Sequence, residues 1–518
     1  LPSLLAAWHG DSREGYELVR EHWLSEVHQP ELDGPFDAFW DRAVRAGWMQ
    51  RSRGEREFRP RLADASQDAR NDHSTPALVL VAYPPVATLD GRHGYNPWLL
   101  ELPDPLTKVT WGNPASLSPS RAASLGLEDG DVIRIELVDD ATQAIELPIV
   151  VQLGQHDGVV AVPIGFGQDI SRRFARSERD GMGGSATDDR PVGVNVARLM
   201  RGAQPRVTIR RMGRSDTLAR TQIDPFEPGA RAGRGGGRAT ASLVRRVGSR
   251  DDSSITPPER VAAAAGWRQL WGQPRGTSDV RWGMAIDLDA CTGCSACVVA
   301  CQIENNVPVV GADEVRRHRE MHWLRIDRYY REHAGVFDVG HQPMTCHHCG
   351  HAPCESVCPV LATTHSSDGL NQQVYSRCVG TRYCVNNCPF KVRRFNWFEN
   401  RPDATFEASR LNPEVTIRSR GVVEKCTFCA HRIQDARLAA QQQGKDLPDS
   451  LVQPACAQSC PARAIVFGNL ADPESEVSVA SRSGRAYALL DELNLAPAVT
   501  YLAIRTRNAG LDDDTDLR

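Results

Sequence analysis

The chain has 518 residues, 61 Lys and Arg against 65 Asp and Glu, a formal net charge of −4, and 41% hydrophobic residues. A balance this near neutral excludes a dedicated nucleic-acid binder and a polybasic membrane anchor. No apolar run approaches the roughly 18–20 residues of a spanning helix, so the protein is expected to be soluble or peripheral.

The length suggests roughly two to four domains, and the chain reads as α+β and multidomain. It begins Leu1-Pro2-Ser3 without Met or a signal-type segment, as a processed chain or a piece of a longer one would. Residues 1–75 read as helical: Tyr16, Leu18, Val19, Trp23, Leu24 and Val27 recur at three-to-four spacing, and Phe36, Phe39, Trp40 and Ala43 do the same. From 76 to 212 the texture changes to short β-runs (Leu78 to Ala82, Val132 to Val138, Ile145 to Val151, Val159 to Pro163) that suggest a barrel. Asp129-Gly130-Asp131 marks a turn into one of them. This region has no Cys and no clustered acid–base residues, so its expected role is structural. Gly181-Met182-Gly183-Gly184 lacks the preceding strand of a phosphate loop. Residues 213–280 read as a linker: between Arg206 and Arg250 there are eleven Arg against Asp216, Asp224 and Glu227, and Gly229 to Gly237 cannot build a core. A solvated connector is favoured there over a basic docking arm. Residues 281–500 form a cysteine-rich module, and in the tail, 501–518, Asp512-Asp513-Asp514 is expected to be disordered.

All fifteen cysteines fall in that module, in four groups. The first is Cys291, Cys294, Cys297, Cys301; the second Cys346, Cys349, Cys354, Cys358; the third Cys378, Thr381, Cys384, Cys388; the fourth Cys426, Cys429, Cys456, Cys460. C-x2-C-x2-C-x3-C is the ferredoxin spacing, in which three thiolates hold one cluster and the fourth reaches to its pair-mate. Pro359, Pro389 and Pro461 close three groups, while Gln302 breaks the pattern in the first. Groups one and four read as one ferredoxin-like unit with groups two and three nested inside it. That nesting assigns Cys291, Cys294, Cys297 and Cys460 to one 4Fe–4S cluster and Cys301, Cys426, Cys429 and Cys456 to a second. Cys346, Cys349, Cys354 and Cys388 take a third. Cys358, Cys378 and Cys384 remain for a 3Fe–4S cluster, because the Thr381 hydroxyl is a poor iron ligand. Zinc sites are usually built from C-x2-C pairs, which triplets ending in x3-C serve poorly, and a chain this long needs no disulfide framework. A zinc-stabilised interaction protein is therefore the weakest reading.

His347, His348 and His351 lie in a group whose thiolate slots are filled, so exposed or hydrogen-bonded roles are expected of them. Arg377, Arg382, Lys391, Arg393 and Arg394 flank the third group, where they could offset cluster charge or merely pair at the surface. Trp397 and Phe398 read as packing residues. Nothing resembles a nucleophile–base pair, so no active site is expected.

The nested groups resemble the electron-transfer subunits of complex iron–sulfur molybdoenzymes such as dimethyl sulfoxide, polysulfide and nitrate reductases. Several stretches are more similar to the large iron–sulfur component of bacterial alternative complex III: Arg281 to Asp287 (RWGMAID), Met321 to Tyr330 (MHWLRIDRYY), Ala362 to Ser367 (ATTHSS) and Cys378 to Cys384 (CVGTRYC), threonine included. Upstream, Asn96 to Pro105 and Gly126 to Asp131 look like the molybdopterin-dinucleotide-binding barrel of the molybdopterin oxidoreductases, and residues 1–75 would be a helical remnant of that half. The resemblance implies a degenerate barrel without molybdenum, fused to a ferredoxin-like four-cluster module. It also implies a quinol-oxidising membrane subunit and cytochrome c subunits as partners, with no nucleic acid, and a peripheral position on the periplasmic face of a bacterial inner membrane. The alternative is the C-terminal part of a catalytic molybdenum or tungsten oxidoreductase.

Overall fold

The computed structural model describes residues 15–46, 77–169, 191–200, 205–224, 243–248, 279–333, 336–400, 410–444 and 452–506. Residues 181–184, 229–237 and 512–514 lie outside the described residues. The chain divides into two compact units, Leu1–Ser74 and Thr75–Arg518.

In the first unit, helices Gly15–His22 and Phe36–Ala46 pack through aromatic rings. Trp40 meets Tyr16 edge-on at 5.9 Å and Trp23 at 5.5 Å, and its indole N–H donates to the Tyr16 hydroxyl at 2.9 Å. These are the three-to-four-spaced residues, brought onto one face by the helical period.

The second unit opens with a six-stranded closed barrel of β1 (Leu78–Tyr83), β2 (Ala115–Leu117), β3 (Asp131–Leu137), β4 (Ala144–Val151), β5 (Val159–Pro163) and β6 (Arg206–Ser215). The strand order is β1-β5-β2-β4-β3-β6. Alternate residues point inward, and Leu117, Ile133, Ile135, Ile149, Val160, Val162 and Val207 are completely buried. Each contributes roughly 1.5–3 kcal/mol by leaving water. The turn expected at Asp129-Gly130-Asp131 sits where β3 bulges against β6. Gly130 has φ +89°, and a Cβ there would lie 2.6 Å from the Asp216 carbonyl, so a side chain does not fit.

Short β7 (Arg246–Gly248), inside the Arg/Gly-rich stretch, pairs in parallel with the last described strand, β14 (Ile504–Thr506). Val244 is 1% exposed, and the Leu243 carbonyl accepts from Gln342 Nε2 at 2.8 Å and the Tyr487 hydroxyl at 2.9 Å. Leu243 and Val244 give this part of the stretch the apolar anchor that its Arg and Gly cannot supply.

The cysteine-rich half is built on β8 (Trp282–Asp287), central in a four-stranded sheet with β11 (Ile465–Asn469), β13 (Val499–Leu502) and β12 (Ala486–Tyr487). Five consecutive residues of β8 are buried, as in a strand covered on both faces. A long hairpin, β9 (Arg325–His333) with β10 (Val336–Met344), lies beside it in sequence. Barrel and cysteine-rich half are stitched together by buried polar contacts. Glu101, fully buried, accepts from the Val310 N–H at 2.9 Å, the Gly311 N–H at 2.7 Å and the Trp111 indole at 3.2 Å. Gln222 exchanges two hydrogen bonds with the Arg328 backbone, each 2.9 Å. Among the described residues no helix is long and apolar enough to cross a membrane.

Candidate metal centres

The four cysteine groups share one local conformation. In each, the residue just before the second ligand slot is left-handed: Gly293 (φ +69°), His348 (+43°), Gly380 (+73°) and Phe428 (+55°). That residue reverses the chain within the C-x2-C step, so two side chains three apart can turn to one side. The closing prolines act next. Pro has no N–H and disfavours helix, and two residues after each comes a left-handed residue: Leu361, Lys391 and Arg463. The turn aims a backbone N–H back at the last thiol, from Ala362 to Cys358 Sγ at 3.2 Å and from Ala464 to Cys460 Sγ at 3.3 Å. The first group, with Gln302 in place of proline, instead runs on as helix Ala296–Glu304 through Cys301.

Charge on neighbouring thiols acts within each of the four sets expected from the sequence. Burial raises the Cys297 pKa, and charge on Cys291, Cys294 and Cys460 raises it further. Cys301 is raised by burial and then by Cys426, Cys429 and Cys456. Burial also raises Cys349, followed by Cys346, Cys354 and Cys388. Cys384 is raised by burial, lowered by Arg393, and raised again by Cys378 and Cys358. Charge also acts across these sets: Cys301 feels Cys297, Cys426 feels Cys346 ahead of Cys429, and Arg393 interacts with both Cys354 and Cys384. A metal must displace the protons that burial holds on these thiols.

One set surrounds a cavity of about 330 Å³, its open mouth included, lined by Cys346, Cys349, Cys354, Cys388, His347 and Arg393. Three of those thiols come from the second group and one from the third. Among the described residues, no three His, Cys, Asp or Glu are placed to hold a single metal ion.

The three-thiol set lies near the surface. Thr381 is exposed, Cys358 and Cys378 are half-buried, and Leu361, Val379 and Tyr383 stand out at 67%, 66% and 58% exposure. His347 and His348 are hydrogen-bonded, as expected of them, but buried at 1% exposure each. His347 Nδ1 donates to the Thr345 carbonyl at 2.8 Å with its ring on Phe390, and His348 Nδ1 accepts from the Asn371 N–H at 3.0 Å. Burial pushes His347 down to about 3, so its imidazole is neutral. His351 bonds the Asn494 carbonyl at 2.9 Å. Trp397 packs on Phe395 at 4.8 Å, beneath Arg319 and Arg382.

Three polar residues beside the thiols carried no signal in the sequence. Asn305 Nδ2 reaches Cys301 Sγ at 3.6 Å and Cys429 Sγ at 3.8 Å. Lys425 Nζ, fully buried, donates to the carbonyls of Asn371 and, at 2.9 Å, Cys426. Lys108 arrives from the barrel half, 1% exposed, and acts on Cys291. Only the fold brings them to the sulfurs.

Two models of a 4Fe–4S dicluster domain match the chain, over residues 290–362 and 337–414. The chain is 42% identical over 235 residues to the iron–sulfur cluster-binding subunit of menaquinone reductase from Nitratidesulfovibrio vulgaris, covering 90% of that protein and 44% of this one. It is 35% identical to an iron–sulfur subunit of the dimethyl sulfoxide reductase type from Halobacterium salinarum, covering 78% of it and 43% of this chain. It is also 35% identical to iron–sulfur subunit 1 of an Hdr-like menaquinol oxidoreductase from Archaeoglobus fulgidus, covering 82% of it and 43% of this chain.

Proposed function

Through its cysteine-rich half the chain belongs to the family of iron–sulfur subunits of reductase complexes, and from that premise we propose that it is an electron relay in a quinol-oxidising respiratory complex, holding three 4Fe–4S clusters and one 3Fe–4S cluster. The observation that carries this reading is the cavity whose walls bear Cys346, Cys349, Cys354 and Cys388, three thiols of one group and the last of another. That crossing is the ligand pattern of paired ferredoxin clusters.

The remaining sets follow the same pattern: Cys291, Cys294, Cys297 and Cys460; Cys301, Cys426, Cys429 and Cys456; and Cys358, Cys378 and Cys384. When bound, the clusters supply one-electron transfer at potentials set by charge, hydrogen bonding and exposure. The protein does the rest. Its N–H groups at Ala362 and Ala464 stabilise electron-rich sulfur, its buried surface excludes water, and the succession of sets gives one path with two ends. One end lies against the barrel half at Lys108 and the other opens at Thr381. The barrel packs on the module and presents partner surface, with no molybdenum of its own. A quinol-oxidising membrane subunit and cytochrome c subunits are the proposed partners, with the chain peripheral on the periplasmic side of a bacterial inner membrane. This matches the large iron–sulfur component of alternative complex III. Metal analysis of the intact complex purified from membranes tests this reading. Iron without molybdenum is expected, whereas about one molybdenum per chain, with pterin on the barrel, would make the chain part of a catalytic oxidoreductase instead.

A further inference from the structure

Five basic residues flank the third cysteine group, and the fold treats one of them differently. Arg377, Arg382 and Lys391 are exposed. Arg382 lies over the Phe395 and Trp397 rings, and Lys391 Nζ donates to the Asn386 carbonyl at 2.6 Å. Arg394 pairs with Glu320 at 2.8 Å. Arg393 is 3% exposed and lines the cavity that Cys346, Cys349, Cys354 and Cys388 surround. Its Nη2 donates to Thr363 Oγ1 at 2.9 Å and to Gln373 Oε1, but among the described residues buried Nε and Nη1 have no oxygen or nitrogen acceptor, and the Cys354 thiol is the one further group within hydrogen-bonding reach of the guanidinium. Cys354 and Cys384, thiols of two different sets, pack in one buried cluster and are the groups of opposite charge that act on it most. A guanidinium kept from water, with two idle donors, is strongly unfavourable unless an anion meets it. Among the described residues, the thiols are the groups that can supply such an anion.

We propose that Arg393 is a shared counter-charge between the third and fourth cysteine sets, its two idle donors facing the anionic groups that those thiols hold. The inference rests on the relay reading. In the step it assists, one electron leaves one group and enters the other, so the first is oxidised as the second is reduced, and no proton or ligand moves. A cation common to both stabilises the added electron on either side and raises both potentials together. Neither group then becomes a trap for the electron. Arg393 is thus a positioning residue for charge, not an iron ligand.

The test is a redox titration, followed by electron paramagnetic resonance, of the intact complex carrying Arg393→Gln or Arg393→Lys. Arg393→Gln is expected to lower the midpoints of the three-iron cluster and of one four-iron neighbour, each by a tenfold or greater shift in the reduced-to-oxidised ratio, 59 mV for a one-electron couple. The other two clusters should hold their values. Arg393→Lys keeps the charge but not the planar fork, and should give a smaller fall at the same two clusters. This variant carries the test if Arg393→Gln fails to assemble. Unchanged midpoints in a variant with full iron content, or an equal fall at all four clusters, would overturn the proposal alone. A wild-type complex without iron signals would overturn the relay reading itself.

Discussion

At the scale of single residues, Thr381 and His322 give separate tests. Thr381 occupies the slot where the other three groups place a cysteine, between Cys378 and Cys384, and it is exposed. Thr381→Cys should supply the fourth thiolate and convert a three-iron to a four-iron cluster. The added anionic ligand makes reduction harder, so the potential should fall and turnover slow without unfolding. Iron analysis and the loss of the three-iron resonance would report the conversion. A retained signal with the new thiol open to alkylation would refute the ligand assignment. His322 concerns stability. It is 4% exposed, its Nε2 has no partner, and burial holds its pKa near 4 against the ordinary 6.5, with Glu320 opposing the shift and Arg394 adding to it. Between those two values the unfolded chain binds more protons than the folded one, so stability is complete above pH 6.5 and falls as the pH drops toward 4, by about 3 kcal/mol in all. His322→Gln should flatten the pH dependence of urea unfolding between pH 6 and 4, and an unchanged slope would count against this. The cysteines and Thr381 were legible because ligand chemistry fixes both residue type and spacing. Arg393 stood among five basic residues in the sequence with nothing to separate it, because burial is a tertiary property.

At the scale of elements, the repeated turn before each second ligand slot is the feature most open to perturbation. Gly380 has φ +73°, and a Cβ there would lie 2.5 Å from the Gly421 carbonyl. Gly380→Ala therefore meets backbone rather than a mobile side chain, on top of about 1–2 kcal/mol for the left-handed conformation. The expected outcome is loss of the three-iron resonance with the four-iron signals retained, and a normal three-iron signal would show that the turn does not shape this set. Four barrel strands were readable from their β-branched runs and lie within one residue of expectation. β2 is only three residues long, and β6 is mostly exposed, its Arg210 and Arg211 paired with Glu136 and Asp131 of adjacent β3 and its Arg214 with Glu146 of β4, one strand further on. Neither carries a hydrophobic period, so pattern reading misses both. β7 was hidden for another reason: three residues in an Arg/Gly-rich setting become a strand only because β14 pairs with them from the far end of the chain.

At the scale of the molecule, the barrel and the cysteine-rich half are joined by groups too buried to be surface contacts. Glu101→Ala removes the acceptor for the N–H groups of Val310, Gly311 and Trp111, and should cost about 3 kcal/mol. A lower Tm and faster proteolysis between the halves are expected, and an unchanged Tm would mean that the halves are held by other contacts. In the proposed relay, four cysteine sets in succession, from the barrel at Lys108 to the exposed face at Thr381, would make the chain a conductor with two ends. Its iron content and spin count put that architecture to the proof in a single experiment. Anaerobically purified wild-type complex should hold about fifteen iron atoms per copy of this chain, three cubanes and one three-iron cluster, after the iron of any haem is subtracted. The oxidised sample should show one three-iron resonance per chain, and reduction should replace it with four-iron signals. Zinc in place of iron, or sixteen irons with no three-iron resonance in the oxidised state, would contradict it.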